Sequence, residues 1–240
     1  MRRFFADQPI TDSHIYLSQP ESHHIRNVLR MRCGEEIIVC DHVGAEYKGV
    51  LEGLDDKCCV RIISLLNNVA EPDLKLTLCQ CMPKGDKMEW IIQKCTELGV
   101  SRVIPVLSAR CVSRPEGRDA VKKRERWQKI AEQASKQCGR SVVPALENIT
   151  PLRALPHSGR RFLAYELENS VSLANIDLSN ERELFLLIGP EGGFEEQEIG
   201  QARNAGAVPV TLGRRILRTE TAGITTLSIL MYHLECAEVQ

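Results

Sequence analysis

Two glycine-bearing stretches carry the residue types that could hold a ligand. Leu186–Phe194 reads LLIGPEGGF, and Leu212–Gly223 reads LGRRILRTETAG; each directly follows an apolar, strand-like run. Glycine turns at the carboxyl ends of strands let a ligand approach backbone N–H and C=O groups closely. A phosphate loop would pair its glycines with Lys and Ser/Thr, and a dinucleotide loop would read GxGxxG; neither pattern is present. Glu191 stands between the glycines instead, and Glu195 and Glu196 open the next helical segment. Those carboxylates favour a helix N-terminus but repel phosphate. The two loops therefore suit a neutral or cationic ligand.

S-adenosylmethionine has that chemistry. Its sulfonium is positive, its adenine can be read by backbone groups, and it carries no phosphate. Leu212, Ile216 and Leu217 supply apolar surface that could wall an adenine. A plainer reading stands beside this one: Gly192-Gly193 as a simple strand-to-helix turn, and Thr219 or Thr221 as an ordinary helix cap.

The elements that must position these loops follow from periodicity. In the chain of 240 residues, residues 1–70 hold short apolar runs such as EEIIVCD and KCCVRII, parted by turn-like DHVGAE and GLDDK. That spacing predicts a small β-barrel or sandwich, interrupted by one helical piece around ESHHIRNVLRM. Asn67–Asp73, polar and containing Pro72, is the expected linker. From residue 74 strands alternate with helices, which predicts an α/β domain with a largely parallel sheet over 74–240. LKLTLCQ alternates as a half-buried strand would. In the helix that follows, Asp86 and Glu89 form an expected capping box, with Gly99 as the stop. A basic helix is expected over about Ala120–Cys138, with Trp127, Ile130, Ala131 and Ala134 on its apolar side. Strands are expected at SRVIPVLS, RRFLAYE, ELFLLIG and AVPVTLG, a helix ending at Gly206, and a last helix from about Thr221 to Glu235.

Composition narrows the class. The 43% hydrophobic and 26% charged content is that of an ordinary globular protein. No apolar run approaches membrane-helix length and MRRFFADQPI has no signal core, so a cytoplasmic location is expected. Ten scattered cysteines include no CxxC pair, so no metal site is expected, and the thiols read as small buried hydrophobes. The net charge is only −1, yet Lys84–Arg140 holds 14 Lys/Arg against 7 Asp/Glu. Local basic clusters on a neutral chain fit either a polyanion contact or solvated helix faces.

The chain resembles the SPOUT methyltransferases, through LLIGPEGGF and LGRRILRTETA. More narrowly it resembles the RsmE family of 16S ribosomal RNA uridine-N3 methyltransferases. The likeness adds MRRFF, HHIRNVLRMRCGEEI, MPKGDKMEWIIQKCTELGV and RWQKIAEQASKQCGR, and runs nearly end to end. The resemblance implies a PUA-like RNA-binding β-barrel, followed by a methyltransferase domain whose chain forms a deep trefoil knot, a rarity among folds. It implies a homodimer, S-adenosylmethionine as donor, and a uridine of the decoding region of 16S rRNA as acceptor. Carried onto matching positions, it places the donor on Gly189, Pro190, Glu191, Gly192, Gly193, Leu212, Gly213, Ile216, Leu217, Thr221 and Ala222. The chain departs from the family at Asp41-His42-Val43-Gly44, at Lys136-Gln137-Cys138-Gly139-Arg140 and at Ser108-Ala109-Arg110-Cys111.

Methyl transfer to a uridine N3 needs the N3 proton removed and charge on the flanking carbonyls stabilised. Arg218 is the expected stabiliser, and Glu220 the group that accepts the proton or orients Arg218. The surrounding RNA backbone is expected to meet Arg2, Arg3, Arg26, Arg30, Lys84, Lys87, Gln137 and Arg140. Two other classes compete: a non-catalytic RNA-binding factor, and a SPOUT enzyme with a different RNA target.

Overall fold

The computed structural model describes residues 1–41, 43–67, 70–178 and 181–237. His42 and part of the expected linker, Asn68 and Val69, lie outside them. The chain divides into two compact units, residues 1–71 with 135–143, and residues 72–134 with 144–240.

In the first unit, β1 (Arg2–Phe5), β2 (His14–Tyr16), β3 (Glu36–Cys40), β4 (Glu46–Leu54) and β5 (Cys58–Leu66) form one sheet in the order β1-β3-β4-β5-β2. β1 and β3 are parallel and the other pairs antiparallel. A short helix, α1 (Gln19–His23), runs on into a π-helical turn, His24–Val28. It closes with Arg30 in the left-handed region (φ 51°) and the Met31 N–H on the Ile25 carbonyl at 3.1 Å. Phe4, Leu17, Ile25, Ile37, Val39, Leu51 and Val60 form the core of this unit.

The second unit is a parallel sheet with helices. Its strands are β6 (Lys75–Cys81), β7 (Arg102–Leu107), β8 (Ala145–Leu146), β9 (Thr150–Pro151), β10 (Arg160–Ala164), β11 (Glu183–Ile188) and β12 (Ala207–Val210), ordered β12-β10-β11-β6-β7-β8 with β9 also on β7. Its helices are α2 (Lys87–Glu97), α3 (Gly117–Cys138), α4 (Glu196–Asn204) and α5 (Thr219–Ala237). The last residues of α3 group with the first unit. β6, the first of these strands in the sequence, lies between β11 and β7, so the strand order turns back on itself there.

Two expectations about these elements need correction. β6 is not half-buried: every residue from Leu76 to Cys81 is buried, because a central parallel strand is covered on both faces. Asp86 does not cap α2 with its side chain; its backbone is turned out of the extended conformation a cap adopts (ψ 11°), and the Glu89 carboxylate binds Arg126 at 2.8 Å. A capping box does form at α4, between Glu195 and Glu198, where the sequence signals none of the usual cap residues. The short strands β8 and β9 were not expected either.

Every cysteine whose side chain is described is free. Burial pushes Cys79 up to about 12 and Cys40 up to about 11. Cys111 is the exception: the Cys81 thiol binds it and, against the effect of burial, Ser108 adds further hydrogen bonds, bringing it down to about 6.

Candidate functional site

The carboxyl ends of three adjacent parallel strands, β12, β10 and β11, open into one cleft of about 620 Å³. Ala164–Glu166 and Asn169 lie at and after the end of β10, Ile188–Phe194 at and after the end of β11, and Thr211–Arg218 after β12; Thr219 and Ala222 of α5 complete the lining with Lys87 of α2. This is where an open α/β sheet binds its ligands.

The two glycine loops are stitched together from below. Thr219 Oγ1 donates to the Gly189 carbonyl at 2.6 Å and accepts from Gln80 Nε2 at 2.8 Å. Gln80 is fully buried on β6 and also donates to the Cys81 carbonyl at 3.1 Å. A backbone loop fixed this way presents its remaining N–H and C=O groups without reorganisation.

Backbone conformation calls for glycine at two points of the cleft. Gly193 has φ +68°, and a Cβ there would stand 2.8 Å from Glu166 Oε1. Gly213, at φ +113°, has a backbone that side-chain-bearing residues rarely adopt. The loop after β11 is braced from β7 as well. Arg110 donates to the Gly192 carbonyl at 2.9 Å, and the Ala109 N–H reaches Glu198 at 2.8 Å.

The charges divide by position. Glu191 accepts from the Lys84 N–H at 3.1 Å and from the Lys87 ammonium at 3.0 Å. Burial opposes ionisation of Glu191, but these bonds and one from its own backbone hold its carboxyl below the usual value. Lys87 also lies 3.1 Å from Glu220, and its two carboxylate partners raise its pKa. Arg214, Arg215 and Arg218 are exposed, and among the described residues their side chains make no hydrogen bond or ion pair. Ile216, between them, is 85% exposed.

Gly189, Pro190, Glu191, Gly192, Gly193, Leu212, Gly213, Ile216, Leu217, Arg218 and Ala222 all line this one cleft. Thr221 does not. α5 begins two residues earlier than expected, and a two-residue step on a helix turns a side chain about 200°. Thr219 thus faces inward while Thr221 is exposed. Glu220 pairs with Lys87 rather than orienting Arg218.

The residues expected at RNA separate into two groups. Arg2, Arg30, Lys84 and Gln137 are exposed, and Arg26 is half-buried with Nε 3.4 Å from the Ser22 carbonyl. Arg3 is instead drawn inside, onto Glu46 and the Cys40 sulfur. Arg140 is buried on Glu71 at 2.7 Å, whose carboxylate also takes the Ser141 and Val142 N–H groups. Lys87 is committed to Glu191 and Glu220. A cation in a linear sequence carries no mark of a carboxylate that folding brings to it. Gln80, Thr219 and Arg110 were not assigned from sequence. Only the start of α5 at Thr219 had a signal, as a cap.

A parallel sheet with a ligand cleft at the carboxyl ends of its strands defines an open α/β ligand-binding class. Residues 70–231 match the family described as RNA methyltransferase domain, and residues 17–63 the RNA methyltransferase PUA domain. The chain is 37% identical over 250 aligned residues to ribosomal RNA small subunit methyltransferase E of Bacillus subtilis, covering 98% of each. Its fold is similar to the crystal structure of ribosomal RNA small subunit methyltransferase E from Neisseria gonorrhoeae bound to S-adenosyl methionine, with TM-score 0.86, 33% identity, and 97% and 98% of the two chains covered. A methyltransferase of Legionella pneumophila solved with bound SAM aligns at TM-score 0.85 and 31% identity, over 96% and 97%. The chain belongs to the ribosomal RNA small subunit methyltransferase E family.

Proposed function

We propose that this protein transfers a methyl group from S-adenosylmethionine to N3 of a uridine in the decoding region of 16S rRNA, on the small ribosomal subunit. The observation that carries the reading is the cleft itself, a glycine-backbone cradle with Glu191 on its lining and three uncommitted arginines at its exposed edge. The cradle fits the donor: it offers close backbone approach and negative charge for a sulfonium. Gly189–Gly193, Leu212, Gly213, Ile216, Leu217 and Ala222 would hold it, with Thr219 in place of Thr221. When bound, S-adenosylmethionine supplies an electrophilic methyl group.

The chain's own residues would do the rest. Arg218 is unpaired and exposed at the cleft, free to donate to a uridine carbonyl as charge develops there. Glu220, in the first turn of α5 and paired with the cleft-lining Lys87, would take the N3 proton, its charge balanced by that lysine. N3 lies on the pairing edge of the base, so the uridine must be unpaired or flipped out. In this reading residues 1–70 grip RNA through Arg2, Arg26 and Arg30, and residues 74–240 perform the transfer.

The homodimer is part of the same proposal. Trp90 on α2 and Tyr232 on α5 are 53% and 67% exposed on helices that pack together, a surface a second copy would cover. No helix among the described residues is long and apolar enough to cross a membrane. A cytoplasmic location follows from the proposed ribosomal substrate.

The test incubates the protein with labelled S-adenosylmethionine and unmethylated small subunits, then identifies the nucleoside by mass spectrometry. N3-methyluridine in 16S rRNA is expected. Donor binding without label in small subunits would assign another RNA, and no donor binding would overturn the enzymatic reading.

A further inference from the structure

We propose that the outer ridge of α3, carrying Arg118, Lys122 and Lys129, docks the phosphate backbone of a double-helical RNA segment flanking the target nucleotide. The inference rests on RNA being the substrate. α3 buries Trp127, Ala131 and Ala134 along one side. Arg118, Lys122 and Lys129 lie on the opposite side, all exposed. At 3.6 residues per turn they fall within about 40° of one another, along about 16 Å of helix.

What separates this ridge from an ordinary solvated face is which cations are already used. Arg126 is paired with Glu89 at 2.8 Å, and Lys136 with Glu21 at 2.5 Å. Among the described residues, Arg118, Lys122 and Lys129 make no side-chain hydrogen bond or ion pair. Two carboxylates lie along it, Glu125 within the ridge and Glu132 just beyond Lys129, so the three cations leave a net positive charge on a chain whose formal charge is −1. The occupant is a polyanion. The ridge carries no exposed aromatic, since Trp127 is 2% exposed on the buried side. Single-stranded RNA is gripped by stacking bases on aromatic rings, whereas a duplex is met through its backbone. The geometry therefore points to duplex.

The test compares wild type with R118A/K122A/K129A. Alanine keeps the helix, so circular dichroism and donor affinity are expected to stay at wild-type values. Binding to a duplex-bearing rRNA fragment, measured across salt concentrations, is expected to weaken about tenfold or more, with the log–log salt slope reduced by about 2–3. The charge-preserving R118K/K122R/K129R is expected to bind as wild type does. An unchanged slope in the alanine variant would overturn the proposal, as would a loss seen equally with an unstructured single strand. Methyl transfer by wild type is scored separately. Transfer with no ridge dependence would sink the docking surface alone. Ridge-dependent binding without transfer would sink the enzymatic reading and leave the docking surface standing.

Discussion

Gln80 and Thr219, 139 positions apart in the chain, are joined by a 2.8 Å hydrogen bond beneath the cleft, and Thr219 passes the connection on to the Gly189 carbonyl at 2.6 Å. One threonine hydroxyl thus fixes the start of α5 against the loop after β11.

Thr219→Val keeps the side chain's shape and removes both bonds. Leaving buried polar groups unpaired costs about 1–3 kcal/mol. The melting temperature is expected to fall by several degrees and the affinity for S-adenosylmethionine by about tenfold, read by scanning and titration calorimetry. Unchanged donor affinity would show that this bond does not shape the cradle.

Arg218→Ala is expected to lower turnover by about 10²–10³, the usual loss when a donor to a developing oxyanion is removed. Donor affinity should stay within about twofold. Glu220→Gln is expected to lower kcat by about 10²–10⁴, the range for general-base catalysis. Normal turnover in either variant would remove that residue from the mechanism.

Arg140→Ala acts on stability. It strands Glu71, whose carboxylate holds Ser141 and Val142 as well as the arginine. Arg140 is buried but Glu71 is partly exposed, so water takes up part of the loss and a cost of about 1–3 kcal/mol is expected. Denaturant unfolding should register this loss, while the salt slope of RNA binding stays at the wild-type value. Arg2→Ala and Arg30→Ala should do the reverse, shifting the slope and leaving unfolding almost unchanged.

Glu168 gives a pH signature. The Ser170 hydroxyl at 2.5 Å, and the Ser170 and Val171 N–H groups at 2.8 and 3.2 Å, bring its carboxyl from 4.5 down to about 2. A carboxylate depressed by folding stabilises the folded state above its unfolded pKa, and that contribution is lost as pH falls through the folded pKa. The turn after β10, which carries the cleft residues Glu166 and Asn169, should therefore loosen between about 4.5 and about 2. Ser170→Ala should move the Glu168 titration, followed by NMR, back toward 4.5. An unmoved titration would assign the shift elsewhere.

Much of the site was legible because the loops and the strands before them are local patterns. Glycines after apolar runs mark turns at strand ends, and alternating strands and helices bring those ends to one side of a parallel sheet. What was not legible was pairing over distance. Arg3 meets Glu46 and Arg140 meets Glu71, 43 and 69 positions away, so a count of exposed-looking cations overstated the RNA-facing set. Arg110 reaches Gly192 across 82 positions with no local signature. The burial of β6 depended on its being central, which only strand order reveals.

That central place has a consequence for biosynthesis. β6, Gln80 and Lys87 are made early, but the partners that complete the cleft, Gly189–Gly193 and Leu212–Ala222, are made last. At translation rates of about 5–20 residues per second, the middle strand and Gln80 wait on the order of ten seconds for their partners. A chain stalled or cut before α5 would keep β11 and β7 beside β6 but lack Thr219, leaving Gln80 Nε2 without that acceptor and the Gly189 carbonyl without its donor. In the proposed cradle, donor affinity therefore reports that synthesis has reached the first turn of the final helix.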